Sequence, residues 1–96
     1  MVTGKTEKGF EFEVDENISK DFRLVIATAK INSEETLEKV AGTYDFVAAI
    51  LGKAGTDRLV EFAIKECGYA DTEFILAQAK EILSCATTKD PETKKS

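Results

Sequence analysis

The segment Gly9-Phe10-Glu11-Phe12-Glu13-Val14-Asp15-Glu16 decides the fold class, because apolar and acidic residues alternate along it. In a β-strand, successive side chains point to opposite faces of the sheet. The apolar face would hold Phe10, Phe12 and Val14. The acidic face would hold Glu11, Glu13 and Asp15. The segment therefore predicts a strand of a small sheet that covers a helical body and turns its charged face to water.

A β-hairpin is the simplest way to pair this strand. Residues 2–6 precede it, and the connection Glu7-Lys8-Gly9 ends in a glycine. Glycine supplies the positive φ that a tight hairpin turn needs. We therefore predict two antiparallel strands, at residues 2–6 and 10–14.

The residues after the hairpin change to helical spacing. A first helix is predicted over residues 18–29, with Asp15, Asn17 or Ser19 as its N-terminal cap. Its apolar residues follow the i, i+4, i+7, i+8, i+11 spacing of one helical face, which we expect to be buried. These residues are Ile18, Phe22, Val25, Ile26 and Ala29.

A second helical region begins after Asn32, which can act as a cap with Glu35 three residues later. The pair Gly42-Thr43 interrupts the apolar spacing, so we predict a helix at 33–41 and another at 43–51. The helix at 43–51 is apolar on nearly all sides. Such helices lie either in the middle of a core or in an interface.

The last third of the chain predicts a turn at 52–55, a helix at 56–67 ending at Gly68, and a helix at 72–86 capped by Asp71. The last helix has one apolar stripe, made of Ile75, Ala79, Ile82 and Ala86. Residues 87–96 are polar and contain the only proline, so we predict a disordered tail. The predicted fold class is α+β, mainly α: one domain at 1–86 with a short N-terminal β-hairpin followed by a bundle of four to five helices.

Composition limits the classes of partner. The 96 residues carry a net charge of -5, and 32% are charged against the usual ~25%. Nucleic acid and anionic membranes select basic surfaces, so we expect neither as a partner. No apolar run is long enough to span a membrane and no signal peptide is recognisable, so we expect a soluble cytoplasmic protein. Cys67 and Cys85 would then be reduced and packed as small apolar side chains, with a disulfide or a reactive thiol as the alternative.

No constellation of residues favours catalysis. The chain has no histidine, the commonest general base and metal ligand. Asp15, Asn17 and Ser19 have the spacing of calcium ligands, but Lys20 stands where the calcium loop requires glycine. The acidic face of the hairpin has no apolar neighbour that would raise a carboxyl pKa. We therefore expect no enzyme, and no catalytic, cofactor-binding or metal-binding residue.

The order of segments resembles the small tail assembly chaperones of long-tailed bacteriophages and prophages. In phages of Gram-positive bacteria, these proteins commonly open with Gly-Phe-Glu-Phe-Glu-hydrophobic-Asp-Glu, which residues 9–16 match. A helix follows, then Ile50-Leu51-Gly52 before a charged helix, then a Gly-led turn into a last amphipathic helix. The resemblance covers residues 5–83. Residues 32–44 are longer and more helical than the linker that the family has there.

The resemblance implies a protein that binds the phage tape measure protein during tail assembly and keeps it soluble. It implies a homo-oligomer in the host cytoplasm, with head-to-tail rings or spirals as one arrangement, and absence from the mature virion. The tail tube protein is a second candidate partner. Two other hypotheses stay open: a structural tail-completion or connector component of the virion, and a small bacterial regulatory adaptor.

Six apolar or aromatic residues are candidates for a partner or oligomer contact. These are Phe10, Phe12, Tyr44, Phe46, Ile50 and Tyr69. For the hairpin phenylalanines and the residues of the apolar helix, burial in the core is the alternative to an interface. Tyr69 precedes the last helix, where it either packs on the turn or forms an exposed anchor.

Overall fold

The computed structural model describes residues 2–87, in which a two-stranded antiparallel sheet packs on three α-helices. The strands are β1 (Val2–Lys5) and β2 (Glu11–Val14). A 3-10 helix (Ile18–Lys20) precedes α1 (Phe22–Ile31), α2 (Thr36–Cys67) and α3 (Thr72–Thr87). The predicted mainly α fold with an N-terminal hairpin is confirmed, but within this range three α-helices replace the four to five that were predicted.

The predicted hairpin forms, and each strand is one residue shorter at the turn than predicted. Val2 pairs with Val14 and Lys5 pairs with Glu11. Gly9 has a φ of 105°, the positive value that the turn was predicted to require. The alternation of faces is also confirmed. Apolar side chains of the sheet are buried and its acidic side chains are exposed.

The predicted start of the first helix is wrong. A 3-10 helix covers residues 18–20, and α1 begins only after Asp21, whose backbone is extended at φ -72° and ψ 126°. Asp21 is the cap, because its Oδ1 accepts a hydrogen bond from the Arg23 N–H at 2.8 Å. Asp15, one of the predicted caps, instead accepts a hydrogen bond from the Asn17 N–H at 2.9 Å in the preceding turn.

The buried face of α1 is also not the predicted one. The helix buries Leu24, Ala27 and Ile31. It exposes Phe22, Val25, Ile26 and Ala29. Extended Asp21 interrupts the helical phase, so Ile18, which is buried, no longer shares a face with the residues of α1. Because α1 is apolar on two sides, periodicity alone does not decide which side faces the core.

The predicted break at Gly42-Thr43 does not occur. Gly42 lies inside α2 and is buried, because α1 crosses there at close range. A Cβ on Gly42 would lie 2.8 Å from the backbone nitrogen of Ile31. Thr43 adapts to the helix by donating its hydroxyl to the Lys39 carbonyl at 2.9 Å. The glycine permits helix packing here; it does not end a helix.

The cap predicted at Asn32 is wrong as well. Asn32 ends α1, and Glu35 stands at the N-cap position of α2 without a hydrogen bond from its side chain to the helix. Ser33 supports this end instead. Its Oγ accepts from the Glu35 N–H at 3.1 Å and donates to Glu38 Oε1 at 2.7 Å.

The chain does turn at Gly52, as predicted, but through one residue. Gly52 has φ 74° and ψ 177°, which lies outside the helical region and divides α2 into a first arm (36–51) and a second arm (53–67). The Thr56 hydroxyl donates to the Gly52 carbonyl at 2.7 Å, so the second arm starts at once. A predicted four-residue turn is therefore reduced to a kink, and one long kinked helix stands in place of several separate ones.

The end of the described chain follows the prediction closely. Gly68 ends α2, and Asp71 caps α3 by accepting from the N–H of Glu73 at 2.9 Å. The predicted stripe of Ile75, Ala79, Ile82 and Ala86 is buried. Thr87 belongs to α3 and not to the predicted tail; residues 88–96 of that tail lie outside the described residues.

Two groups of contacts fasten the hairpin to the helices. The rings of Phe10 and Phe62 lie 5.4 Å apart, and the rings of Phe62 and Phe74 lie 6.0 Å apart. The Arg58 guanidinium stands 5.0 Å from the centre of the Phe10 ring and donates to the Glu11 carbonyl at 2.7 Å. The sheet therefore forms one side of the hydrophobic core.

Candidate partner-binding surfaces

Four of the six residues predicted as partner contacts lie in the core. Each of these side chains has an exposed fraction of 5% or less. They are Phe10, Phe12, Phe46 and Ile50. Phe10 is held by its ring contact with Phe62 and by Arg58. For all four residues, burial in the core, the alternative to an interface, describes where they lie.

The two tyrosines are exposed. Tyr44 is 55% exposed on the first arm of α2, and Tyr69 is 62% exposed in the turn before α3. The Tyr69 hydroxyl donates to Asp71 Oδ2 at 3.0 Å, and this hydrogen bond raises the pKa of Tyr69. The pKa of Asp71 is lowered, first by the N–H of Phe74 and then by Tyr69. Tyr69 thus lies where a partner could reach it, with its ring held near the α3 cap.

The first candidate surface is a groove between α1 and the first arm of α2, with a volume of about 370 Å³. We call it the α1 groove. It is lined by Phe22, Arg23, Ile26, Asp45, Ala48 and Ala49. Phe22 is 76% exposed beside this groove, and the alanines leave the groove shallow and apolar.

Opposite charges stand on the two rims of the α1 groove. Arg23 on the α1 rim donates to Asp21 Oδ2 at 2.7 Å, and this hydrogen-bonded pair lowers the pKa of Asp21 to about 2. Asp45 on the α2 rim accepts from Lys30 Nζ at 3.0 Å. The Arg23 side chain is still 75% exposed. Both rim charges therefore remain within reach of another molecule.

The second candidate surface is a groove of about 450 Å³ between the first arm of α2 and α3, which we call the α2–α3 groove. Its apolar lining includes Val40, Leu76 and Ala77, and its charged lining is Lys39, Lys80 and Glu73. Leu37, 79% exposed, lies one turn before Val40 on α2, and Tyr44 lies one turn after it. These three residues, at i, i+3 and i+7, form an exposed apolar stripe along the helix.

Sequence reasoning missed most of these exposed residues. It assigned Phe22, Val25 and Ile26 to the core because they follow one helical stripe. The signal that could have corrected this is Asp21, a strong N-cap residue immediately before Phe22. A helix starting at Phe22 has a second apolar stripe, at Leu24, Ala27 and Ile31, that competes for burial.

Thiol and metal chemistry adds no further site among residues 2–87. Cys67 and Cys85 are free, and both are half-buried rather than fully packed in the core. Among the described residues, no group of three His, Cys, Asp or Glu side chains is placed to hold a metal ion. In the same part of the chain, no helix has the length and apolar character to cross a membrane. The comparisons with known proteins found no matching family model, no matching curated protein and no matching solved structure.

Proposed function

We propose that this protein is a non-enzymatic tail assembly chaperone of a long-tailed phage or prophage, which binds the tape measure protein. The proposal rests on the resemblance of residues 5–83 to that family and on one structural observation. The observation is that a domain of this size exposes long apolar side chains in two stripes, one along each of two helices. Single exposed apolar residues are ordinary, but contiguous ones mark interaction surfaces.

The α2–α3 groove suits a helical client. A tape measure protein is a long helical chain whose apolar stripes would be uncovered before the tail tube surrounds it. An amphipathic helix of that chain could lay its stripe on Val40 and Leu76, in the manner of other helix-in-groove complexes. Lys39 and Lys80 on the groove would favour acidic residues beside the client's stripe.

The acidic surface fits the same role. Each copy has a net charge of -5, so client chains coated with several copies would repel one another. This repulsion would oppose aggregation of the complexes. Several copies are needed to cover a long client, so a homo-oligomer is part of the proposal. The proposed place of action is the host cytoplasm before tail completion, with the tail tube protein as a second candidate partner.

The test is co-expression of this chain with the tape measure protein, with the soluble fraction of the latter as the readout. We expect the wild-type chain to raise that fraction, and Val40→Glu to remove most of the gain by placing a charge in the apolar groove. Ala54→Glu is the matched control, since it adds the same charge at an exposed helical position outside both grooves. If the tape measure protein is equally insoluble with and without the wild-type chain, the proposal fails.

Purified virions supply an independent test. A chaperone leaves before the particle is finished, so mass spectrometry should find this protein far below the copy number of tail proteins. Stoichiometric amounts in the particle would instead favour a tail-completion or connector component.

A further inference from the structure

We infer that the α2–α3 groove selects one short amphipathic helix of its client, by taking a single large apolar side chain into a pocket and setting acidic side chains against two lysines. The inference rests on the proposed function, because the occupant is a segment of the client polypeptide. It adds the chemistry that distinguishes one segment of a long chain from the others. The groove has two features that make this choice, an apolar pocket and unpaired positive charges.

A pocket of about 140 Å³ adjoins the α2–α3 groove, and we call it the anchor pocket. Its apolar and aromatic lining comes from both arms of α2 and from α3: Val40, Tyr44, Val47, Val60 and Ile75. The groove and the anchor pocket share Val40, Thr43 and Thr72 in their walls, so they form one continuous depression. A side chain that lies over Val40 can therefore enter the anchor pocket.

The size and polarity of the anchor pocket select the side chain that fills it. A cavity of about 150 Å³ holds a benzene ring, so 140 Å³ suits one leucine or phenylalanine side chain. Two threonine hydroxyls in the wall are already engaged within the chain. Thr43 donates to the Lys39 carbonyl at 2.9 Å, and Thr56 donates to the Gly52 carbonyl at 2.7 Å. These walls therefore favour an apolar occupant.

The lysines beside the groove are free to contact an occupant. Lys39 on α2 and Lys80 on α3 both line the groove and are exposed. Within residues 2–87, neither lysine forms an ion pair. Glu73, the acidic residue of the lining, lies seven positions before Lys80, or about 10 Å along α3. The lysines therefore give this part of an acidic protein a local positive charge, which attracts acidic residues of a client.

The spacing of the exposed apolar residues favours a helical occupant. Leu37, Val40 and Tyr44 extend for about 10 Å along α2, which is about two helical turns. An amphipathic helix laid along this stripe repeats its own apolar residues every three or four positions, so one of them reaches the anchor pocket. Because Lys39 and Lys80 belong to different helices, each flank of the bound helix meets one lysine when it carries acidic residues.

Designed peptides test this chemistry on the wild-type protein. The probe is a helix of about 18 residues with one central leucine on an alanine face and glutamates on both flanks. We expect it to bind in the micromolar range, as measured by fluorescence anisotropy. Replacing the leucine by alanine should weaken binding roughly thirtyfold, because the anchor pocket is then unfilled. Replacing the glutamates by lysines should weaken binding roughly tenfold, because like charges then meet.

Matched variants of the protein assign the charge selectivity to the groove. Lys80→Glu should weaken binding of the glutamate-flanked peptide roughly tenfold and strengthen binding of the lysine-flanked peptide. Lys65→Glu makes the same charge change at an exposed position outside both grooves, and it should leave both affinities unchanged.

A further variant assigns the leucine selectivity to the anchor pocket. Val60→Phe adds a ring to the pocket from the second arm of α2, so the leucine peptide should lose its advantage over the alanine peptide. Circular dichroism melts show whether this variant folds. The comparison of the two peptides on wild-type protein tests the pocket without any substitution in the fold.

The inference is overturned if no peptide binds, if the leucine and alanine peptides bind equally, or if Lys65→Glu changes binding as much as Lys80→Glu does. These outcomes are distinct from those of the co-expression test. Selective peptide binding with an insoluble tape measure protein would overturn the proposed function and support the selectivity of the groove. A solubilised tape measure protein with unselective peptides would overturn this inference alone.

Discussion

Lys30 of α1 and Gly42 of α2 lie so close that a Cβ added to Gly42 would be 2.6 Å from the Lys30 Cβ. Side chains normally separate two packed helices, whereas here the backbone of α1 rests directly on the glycine. The ion pair between Lys30 and Asp45 lies one turn further along α2 and holds the same crossing. This crossing sets the position of α1, and therefore the geometry of the α1 groove.

The glycine at this crossing should tolerate no side chain. Gly42→Ala is expected to lower the free energy of unfolding by about 1–3 kcal/mol, because rigid backbone atoms of α1 would have to move. At an exposed helical position the same substitution would raise stability by about 1 kcal/mol. Urea denaturation followed by circular dichroism measures the difference. A stabilised Gly42→Ala variant would show that the two helices do not touch here.

Glycine is required at position 52 for a different reason, namely the backbone conformation of the kink. A Cβ at Gly52 would meet nothing within 4 Å, so the cost of substitution comes only from the positive φ of 74°. Gly52→Ala and Gly52→Asn should therefore both cost about 1–3 kcal/mol, because a φ of 74° with a ψ of 177° is a backbone region that essentially only glycine occupies and lies outside the left-handed helical region that asparagine tolerates. Thermal melts of both variants would measure these losses. Equal stability of wild type and Gly52→Ala would argue against the kink.

Gln78 offers a stabilising substitution. Its side chain is buried, and within residues 2–87 its Oε1 has no hydrogen-bond partner. Gln78→Met keeps the length of the side chain and removes the unsatisfied carbonyl, so the free energy of unfolding should rise by about 1 kcal/mol. Gln78→Glu is the contrasting variant and should be destabilised, because it buries a charge. A loss of stability in Gln78→Met would indicate that the amide does have a partner.

Acid should weaken the start of α1. The hydrogen bonds from Arg23 lower the pKa of Asp21 from its ordinary value of 3.8 to about 2. The folded state therefore binds this proton less readily than the unfolded state. The contribution of the Asp21 charge is complete above the unfolded pKa and is lost as pH falls through the folded pKa.

The matching measurement compares melting temperatures of wild type and Asp21→Asn from neutral pH down to acid. Asparagine keeps a capping oxygen and removes the charge. We expect wild type to be the more stable protein at neutral pH, with a gap that closes between about pH 4 and pH 2. A gap that does not change across this range would mean that the ion pair contributes nothing to stability.

The sequence predicted those elements whose apolar residues allow only one arrangement. The alternation from Phe10 to Val14 admits one buried face, and the stripe from Ile75 to Ala86 admits one buried side of α3. Both were confirmed. Asp71 and Gly68 marked helix ends by local chemistry, which needs no tertiary information.

The remaining elements depended on contacts between distant residues. The local sequence predicts a break at Gly42 because the glycine interrupts the apolar pattern. In the fold this glycine instead allows α1 to pack closely on α2, a contact that the local sequence does not reveal. In α1 two apolar stripes compete, and only the packing of the whole chain selects Leu24 over Phe22 for burial. The α1 groove was missed for the same reason, since Phe22 and Ile26 on one of its walls belong to the stripe that was not selected.

The turn of the hairpin is hydrogen-bonded to α3, although the two are far apart in sequence. The Glu7 N–H donates to Glu81 Oε2 at 2.8 Å, across 74 positions of sequence. During translation the first-made strands must wait roughly 4–15 s for α3 to be synthesised, at 5–20 residues per second. In that interval Phe10 and Phe12 are not yet covered by the helices on the nascent chain. We expect the glutamates that alternate along β2 to keep this exposed strand from pairing with strands of neighbouring nascent chains. The acidic face of the sheet would then act during synthesis of the protein as well as in the folded state.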